Sequence, residues 1–243
     1  MSSRALAEKP RSRHRADVTS TRCFRSALPS TLYRRFAEHV RRTLRRGARN
    51  ELSRAGGWYP LDRAPSTLPE HAIRRLRRLA RPGPSCIGAE WWFQVRDTTD
   101  GKSFHFDKDE QLFEDTGRMV HPLVASVFYL GRNGGPTLIV DQGCDPSGKT
   151  LSPPSPTRGV AVLPRSNHYT VFPGHLYHAI YPGDVAGSIR VTFLVNWWDR
   201  RPRGMRDGRQ SSAFDPIELR RDLGRHAASR AGVIHLDQSD IAS

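Results

Sequence analysis

A histidine and an aspartate near the middle of the chain have the types and spacing of metal ligands. His105 and Asp107 are separated by one residue, and residues two apart on a β-strand point to the same face. An imidazole and a carboxylate on one face can hold a divalent cation from one side. The pair therefore predicts a metal site, which needs a further ligand from a distant strand.

The segment from Phe172 to His178 is the best source of that further ligand. It ends an apolar run, turns at a Pro-Gly pair and then presents two histidines, His175 and His178. Either imidazole could complete a site with two histidines and one carboxylate, and the residue types alone leave both open.

An arginine and a threonine that could bind a carboxylate follow on the last apolar run. Arg190 lies twelve residues beyond His178, and Thr192 shares its strand face. Arginine presents parallel N–H donors that match a carboxylate, so a buried guanidinium beside a hydroxyl suits such an anion. Two histidines and one aspartate with open metal positions near this anion site are typical of non-haem Fe(II) oxygenases.

Four blocks of residues in this order resemble the Fe(II)- and 2-oxoglutarate-dependent dioxygenases, nearest to the prolyl 4-hydroxylase-like branch. The blocks are His105-Phe106-Asp107, Phe128-Tyr129-Leu130 with Gly134-Gly135-Pro136-Thr137-Leu138, Phe172-Pro173-Gly174-x-Leu176-x-His178, and Gly187-x-x-Arg190-x-Thr192. The resemblance covers about residues 88–199, and no family is identified for residues 1–84 or 200–243.

The resemblance implies a role for each matching residue. It makes His105, Asp107 and His178 the iron ligands, and it favours His178 over His175 because only His178 keeps the Leu-x-His spacing. The cofactors implied are Fe(II) and 2-oxoglutarate, with O₂ as the other substrate.

Three further residues would bind 2-oxoglutarate. Arg190 would pair with its C5 carboxylate, with Thr192 beside it, and Tyr129 is a further candidate. The halogenating relatives lack the ligand carboxylate, so Asp107 favours hydroxylation of an amino acid, a peptide side chain or a small molecule, with succinate and CO₂ as co-products.

The elements that must position these residues are short strands. After Pro84 the apolar runs are brief and separated by Gly, Pro and Asn turns, which predicts a mainly β fold with flanking helices. The expected core is a double-stranded β-helix (a cupin-like jelly roll) over residues 85–203. We expect residues 91–95 and 103–107 to pair as a hairpin, and residues 204–243 to form a helical tail with a helix over 215–231.

The N-terminal third carries the net charge. The formal net charge is +15, and residues 1–84 contain 21 Lys+Arg against 6 Asp+Glu, while the rest is balanced. Two amphipathic helices are predicted within residues 31–84, one from Ser30 or Thr31 to near Gly47 and one over 69–80. We expect their apolar stripes to pack on the core and their arginines to face solvent.

Residues 1–30 are predicted to be a flexible basic leader, because they contain few apolar residues. Their composition also fits an organellar transit peptide or a nucleic-acid-binding arm. No apolar run is long enough to span a bilayer, so we expect a cytoplasmic protein, or an organellar one if the leader is a transit peptide.

A second function class remains open from the sequence. The alternative is a non-catalytic, cupin-like basic protein in which residues 1–84 bind nucleic acid or another anionic partner. Arg190 with Thr192 separates the two hypotheses, because a simple metal-binding cupin needs no carboxylate site beside its metal.

Overall fold

The computed structural model of the protein describes residues 17–208 and 233–236. These residues contain four α-helices: α1 (Ser30–Arg45), α2 (Arg49–Arg54), α3 (Leu68–Ala80) and α4 (Glu110–Thr116). The strands are β1 (Arg22–Phe24), β2 (Gly56–Pro60), β3 (Gly88–Asp97), β4 (Lys102–His105), β5 (Val124–Tyr129), β6 (Thr137–Val140), β7 (Gly143–Cys144), β8 (Leu151–Ser152), β9 (Gly159–Val162), β10 (His168–Pro173), β11 (His178–Ile180), β12 (Ile189–Trp198) and β13 (Val233–Leu236).

Two antiparallel sheets form the core. The six-stranded sheet has the order β1-β10-β5-β12-β3-β2, and the five-stranded sheet has the order β13-β9-β6-β11-β4. Along the chain, β3, β5, β10 and β12 belong to the first sheet, while β4, β6, β9 and β11 belong to the second. Apolar side chains of β5 and β10 share one buried cluster with those of β6 and β9. This is a double-stranded β-helix, and the predicted fold class is confirmed.

The predicted hairpin of residues 91–95 and 103–107 is wrong. β3 pairs with β12 along its whole length and with β2 along Gly88–Trp92, and none of its residues pairs with β4. The turn after Asp97 instead carries the chain into the other sheet, where β4 pairs with β11. The crossing places β4 and its His105 on the sheet that faces β3.

The helices α1 and α3 cover the outer face of the six-stranded sheet. Phe36 of α1 is fully buried, and its ring lies 5.1 Å from that of Phe193 and 5.6 Å from that of Phe93. The arginines of α1 are exposed, whereas only Arg78 of the four arginines of α3 is exposed and the other three are half-buried. Pro29 occupies the N-cap of α1, so the predicted cap at Ser30 or Thr31 lies inside the first turn.

The region 31–84 also contains elements that its sequence pattern did not predict. Besides α1 and α3 it includes α2 and the edge strand β2, which pairs along β3 from Gly56 to Pro60. The six-stranded sheet therefore extends beyond the expected boundary at residue 85. Glycines at positions 56 and 57 weaken the strand signal in the sequence, and pairing with β3 overrides it.

Residues 17–30, which were expected to belong to a flexible leader, are part of the folded core. β1 pairs with β10, while Val18, Cys23 and Leu28 are each no more than 3% exposed. The sequence did not predict β1, because a three-residue strand is too short to show the apolar alternation by which strands are recognised. Residues 1–16 lie outside the described residues.

The C-terminal region differs in part from the predicted helical tail. The backbone of β13 pairs with β9 at the edge of the five-stranded sheet. The helix predicted over residues 215–231 lies outside the described residues. Within the described ranges, no helix combines the length and apolar character needed to cross a membrane.

Candidate active site

Two of the predicted ligands face each other across a strand pair. His105 ends β4, His178 begins β11, and the two residues are directly opposite in the antiparallel register. Their ring centroids are 4.3 Å apart. Asp107 follows two residues after His105, and one ligand atom from each of the three residues lies within 4.8 Å of the others. The fold therefore brings together residues that are 71 positions apart in the chain.

Hydrogen bonds orient both imidazoles toward a common point. Nδ1 of His105 lies 2.9 Å from the carbonyl oxygen of Ser103, and Nδ1 of His178 lies 3.0 Å from that of Leu176. A neutral imidazole that donates from Nδ1 keeps the Nε2 lone pair free for a metal. The two Nε2 atoms lie 4.0 and 3.7 Å from the carboxylate oxygens of Asp107.

Burial keeps His105 neutral. Desolvation is the largest cause and the neighbouring His178 the next, and together they lower the pKa of His105 to about 4. Metal ions bind the neutral form of histidine, so His105 is in the ligand form at pH 7. Asp107 is the acidic member of the cluster and also has its backbone carbonyl within 2.9 Å of Nδ1 of His121.

His178, and not His175, belongs to this cluster. His175 lies on the turn between β10 and β11, and its ring approaches Gly143 at the edge of the sheet. Gly174 makes that turn possible, because a side chain there would overlap the carbonyl oxygen of Pro122. The turn therefore directs the imidazole of His178 into the jelly roll.

A buried arginine occupies the same cleft as the three ligand-type residues. Arg190 is 2% exposed, and it lines the cleft together with His105, Asp107 and His178. Its guanidinium donates to Thr137 Oγ1 at 3.0 Å, while Gln94 and Thr192 lie at the longer distances of 3.3 and 3.4 Å.

Within the described part of the chain this guanidinium has no anionic partner. Nε of Arg190 has no hydrogen-bond acceptor there, and no carboxylate contributes to its electrostatic environment. Desolvation lowers its pKa, which measures the cost of keeping the charge buried. A buried cation is normally paired, so the cleft is built for an anion.

Tyr129 and Thr192 support the arginine. The Arg190 guanidinium carbon lies 5.6 Å from the centre of the Tyr129 ring, and the Tyr129 hydroxyl donates to Thr137 at 2.8 Å. Both Tyr129 and Thr192 are fully buried. Tyr129 therefore acts as a wall beneath the cation, since its hydroxyl is already engaged.

The Gly-Gly turn packs against the same arginine. Gly134 has a φ of +95°, and a Cβ atom there would lie 2.6 Å from Cδ of Arg190. Only glycine permits both that backbone conformation and this approach. The turn thus holds the arginine side chain in place.

Several residues of the cleft carried no motif and were missed from the sequence. Trp92, Gln94 and Lys102 line it, together with the motif residue Thr137 and the predicted residues His105, Asp107, His178 and Arg190. Trp92 and Gln94 follow from strand alternation once β3 is known to face the other sheet. Lys102 brings a second cation, and its pKa is lowered by burial. The register of β4 against β11 shifts between His178 and Ile180, so no simple periodicity indicates Lys102.

Comparisons with known proteins return matches in shape only. No protein-family model matches the chain, and no curated protein matches it. A prolyl-4-hydroxylase from Pseudomonas putida matches with 22% identity and a TM-score of 0.47, over 81% of this chain and 100% of that chain.

Two further solved structures are similar. HygX from Streptomyces hygroscopicus, with nickel and 2-oxoglutarate bound, has 15% identity and a TM-score of 0.44, over 77% of this chain and 84% of that chain. A prolyl hydroxylase from Trichoplax adhaerens, in complex with a hypoxia inducible factor peptide fragment, has 15% identity and a TM-score of 0.43. The match covers 74% of this chain and 83% of that chain. At these identities no residue's role is carried across from a neighbour.

Proposed function

We propose that the protein is an Fe(II)- and 2-oxoglutarate-dependent oxygenase of the hydroxylase type. The observation that carries the proposal is the buried, unpaired guanidinium of Arg190 in the cleft that also holds His105, Asp107 and His178. A divalent metal would bind the three ligand-type side chains, and a dicarboxylate bound to that metal would pair its other carboxylate with Arg190.

The donor set suits Fe(II). Two imidazole nitrogens and one carboxylate leave coordination positions open for 2-oxoglutarate and O₂, and the three side chains already converge. Bound there, Fe(II) with 2-oxoglutarate and O₂ would supply the oxidant, with succinate and CO₂ as co-products. The presence of Asp107 favours hydroxylation over halogenation, because the third ligand position is filled by a carboxylate.

The residues of the chain would hold and orient the co-substrate. Arg190 would bind the carboxylate of 2-oxoglutarate farther from the metal, with Thr192 and Thr137 beside it. The buried ring of Tyr129 would support the guanidinium, whose carbon lies 5.6 Å from the ring centre. A dry cleft strengthens the guanidinium–carboxylate pair, because the effective dielectric constant is low.

The substrate would be a small molecule or a peptide side chain that approaches the metal from the open side of the cleft. The alternative hypothesis, a non-catalytic basic protein, leaves the pairing of Arg190 unexplained. The exposed arginines of α1 are ordinary for a helix packed on a core, so they do not favour it.

An anaerobic titration tests the proposal. The Fe(II)-loaded wild-type protein should bind 2-oxoglutarate and develop a visible metal-to-ligand charge-transfer band. Glutarate, which has both carboxylates but no 2-oxo group, should compete for the site without producing the band. Subsequent exposure to O₂ should yield succinate. A protein that binds Fe(II) but not 2-oxoglutarate would contradict the proposal.

A further inference from the structure

The paired strands β3 and β12 present an ordered row of side chains to the interior of the jelly roll. The cross-strand pairs in this row are Arg96 with Arg190, Gln94 with Thr192, Trp92 with Leu194, and Glu90 with Asn196. Trp92 and Leu194 line the cleft of the candidate metal site. Glu90 therefore lies at the opposite end of the row from Arg190, and six residues of β12 separate the two ends by about 20 Å.

Glu90 lines a second groove, which is next to the cleft of the candidate metal site along β3, because Trp92 two residues later lines that cleft. The groove has a volume of about 400 Å³ and lies between β2, the start of α4 and residues 202–206. Lys108, which directly follows the ligand-type residue Asp107, lines it as well. A molecule in this groove would therefore reach toward the metal from the side away from Arg190.

Among the described residues, the carboxyl group of Glu90 has a neutral hydrogen-bond partner. Trp198 donates its indole N–H to Glu90 at 3.1 Å, and Asn196 is the cross-strand neighbour of Glu90 on β12. No cationic side chain of the described residues forms an ion pair with Glu90. Burial, with Asp107 as the next cause, raises the pKa of Glu90 to about 8. A buried acid without a cation is the counterpart of the unpaired Arg190 at the other end of the row.

The cationic side chains that line the groove do not form ion pairs with Glu90. Lys108 pairs with Glu110 at 2.7 Å, and Arg203 pairs with Asp115 at 3.2 Å. Arg206 is exposed at the rim. The groove therefore contains a half-buried acidic side chain that forms no ion pair with a cation of the described residues, and a bound cationic group would ionise and pair with it.

From this geometry we propose that Glu90 binds a cationic nitrogen group of the substrate, an ammonium or a guanidinium, and is a specificity-determining residue. The proposal rests on the proposed oxygenase function, because the groove is next to the cleft of the candidate metal site. Binding would place the cation next to Glu90 and a carbon of the same molecule near the metal. A charge-assisted hydrogen bond in this buried position would select amine- or guanidine-bearing substrates over neutral ones.

A matched pair of probes tests the preference for a cation. N-butylguanidinium and N-butylurea have nearly the same shape, but only the first is charged. Calorimetric titration of the full chain at about pH 7.5, with and without Ni(II) and 2-oxoglutarate, should show at least about tenfold tighter binding of N-butylguanidinium. Ni(II) replaces Fe(II) so that no turnover occurs.

Two variants make the test specific. Glu90→Gln should fold, because a carboxamide has the shape of the neutral carboxyl group, and it should bind both probes equally. Glu114→Gln, which alters an exposed glutamate of the same groove, should keep the preference. Equal binding by the wild type, no detectable binding of the cation, or a preference that survives Glu90→Gln would each overturn the proposal.

The outcome is independent of the oxygenase proposal. A cation preference in a protein that does not bind 2-oxoglutarate would leave the Glu90 site standing and remove the oxygenase function. Binding of 2-oxoglutarate without any cation preference would support the oxygenase function and exclude the Glu90 site.

Discussion

His105 and His178 stand directly opposite each other on the adjacent strands β4 and β11, with their ring centroids 4.3 Å apart. Each ring is oriented by a hydrogen bond to the carbonyl oxygen of the residue two positions before it. The imidazoles are thus held in place by backbone pairing rather than by flexible side-chain contacts. Such support makes a site rigid before any metal binds.

Loss of any one ligand should abolish 2-oxoglutarate turnover. His105→Ala, Asp107→Ala and His178→Ala each remove a donor from the cluster, so Fe(II) affinity should fall as well. His175→Ala is the control and should keep most of the activity, because His175 is not in the cluster. Fe(II) binding and succinate release measure the two effects. An active His178→Ala protein with an inactive His175→Ala protein would reverse the assignment.

Arg190→Ala should weaken 2-oxoglutarate binding by about 2–5 kcal/mol, because a buried carboxylate would lose its charged partner. Fe(II) binding should persist, since no ligand is removed. Arg49→Ala is a suitable control, because Arg49 pairs with Asp97 in a half-exposed position. Titration of the charge-transfer band gives the dissociation constants. An unchanged constant in Arg190→Ala would exclude the carboxylate role.

Gly134→Ala should impair 2-oxoglutarate binding without affecting Fe(II). The new methyl group would collide with the side chain of Arg190, and the φ of +95° disfavours any residue but glycine. Gly131→Ala, three positions earlier, is the matched control, because a Cβ atom there meets nothing within 4 Å. Equal 2-oxoglutarate affinities in the two variants would show that the turn does not position the arginine.

Removal of residues 1–29 should destabilise the protein, whereas removal of residues 1–16 deletes none of the described contacts. The longer deletion takes away β1 and the buried side chains of Val18, Cys23 and Leu28. Each large apolar side chain contributes about 1.5–3 kcal/mol through burial, so the free energy of unfolding should fall by several kcal/mol. Urea denaturation of both truncated proteins measures the difference. Equal stability would mean that β1 contributes nothing.

Glu90→Gln should make the metal-free protein more stable than the wild type, increasingly so as the pH rises. The folded state raises the pKa of Glu90 from 4.5 to about 8, so between these values it retains a proton that the unfolded state has released. Wild-type stability therefore falls with pH over this range, and the fall is absent in the variant. The gap should reach on the order of a few kcal/mol near pH 8.

Urea denaturation of both proteins at about pH 5, 6.5 and 8 checks this pH dependence. Glu114→Gln is the control for removing a glutamate from the groove. A stability difference between wild type and Glu90→Gln that does not change with pH would show that Glu90 is not protonated in the folded state.

Local periodicity was enough to predict much of this protein. The alternation of short apolar runs predicted the jelly roll, and the four-residue spacing from Leu32 to Leu44 predicted the helix that became α1. His105, Asp107 and His178 could be selected because their types and spacing are informative within short segments. The same holds for Arg190 and Thr192, which share a strand face two residues apart.

Tertiary structure alone decided which segments meet. β4 directly follows β3 in the chain, yet it pairs with the distant strand β11 in the other sheet. Glu90 and Lys102 gain their importance from burial beside groups far away in the chain, and no local pattern encodes that environment. The sequence determines which side chains share a face of each strand. The pairing of strands that are distant in the chain determines which of these faces meet and form the site.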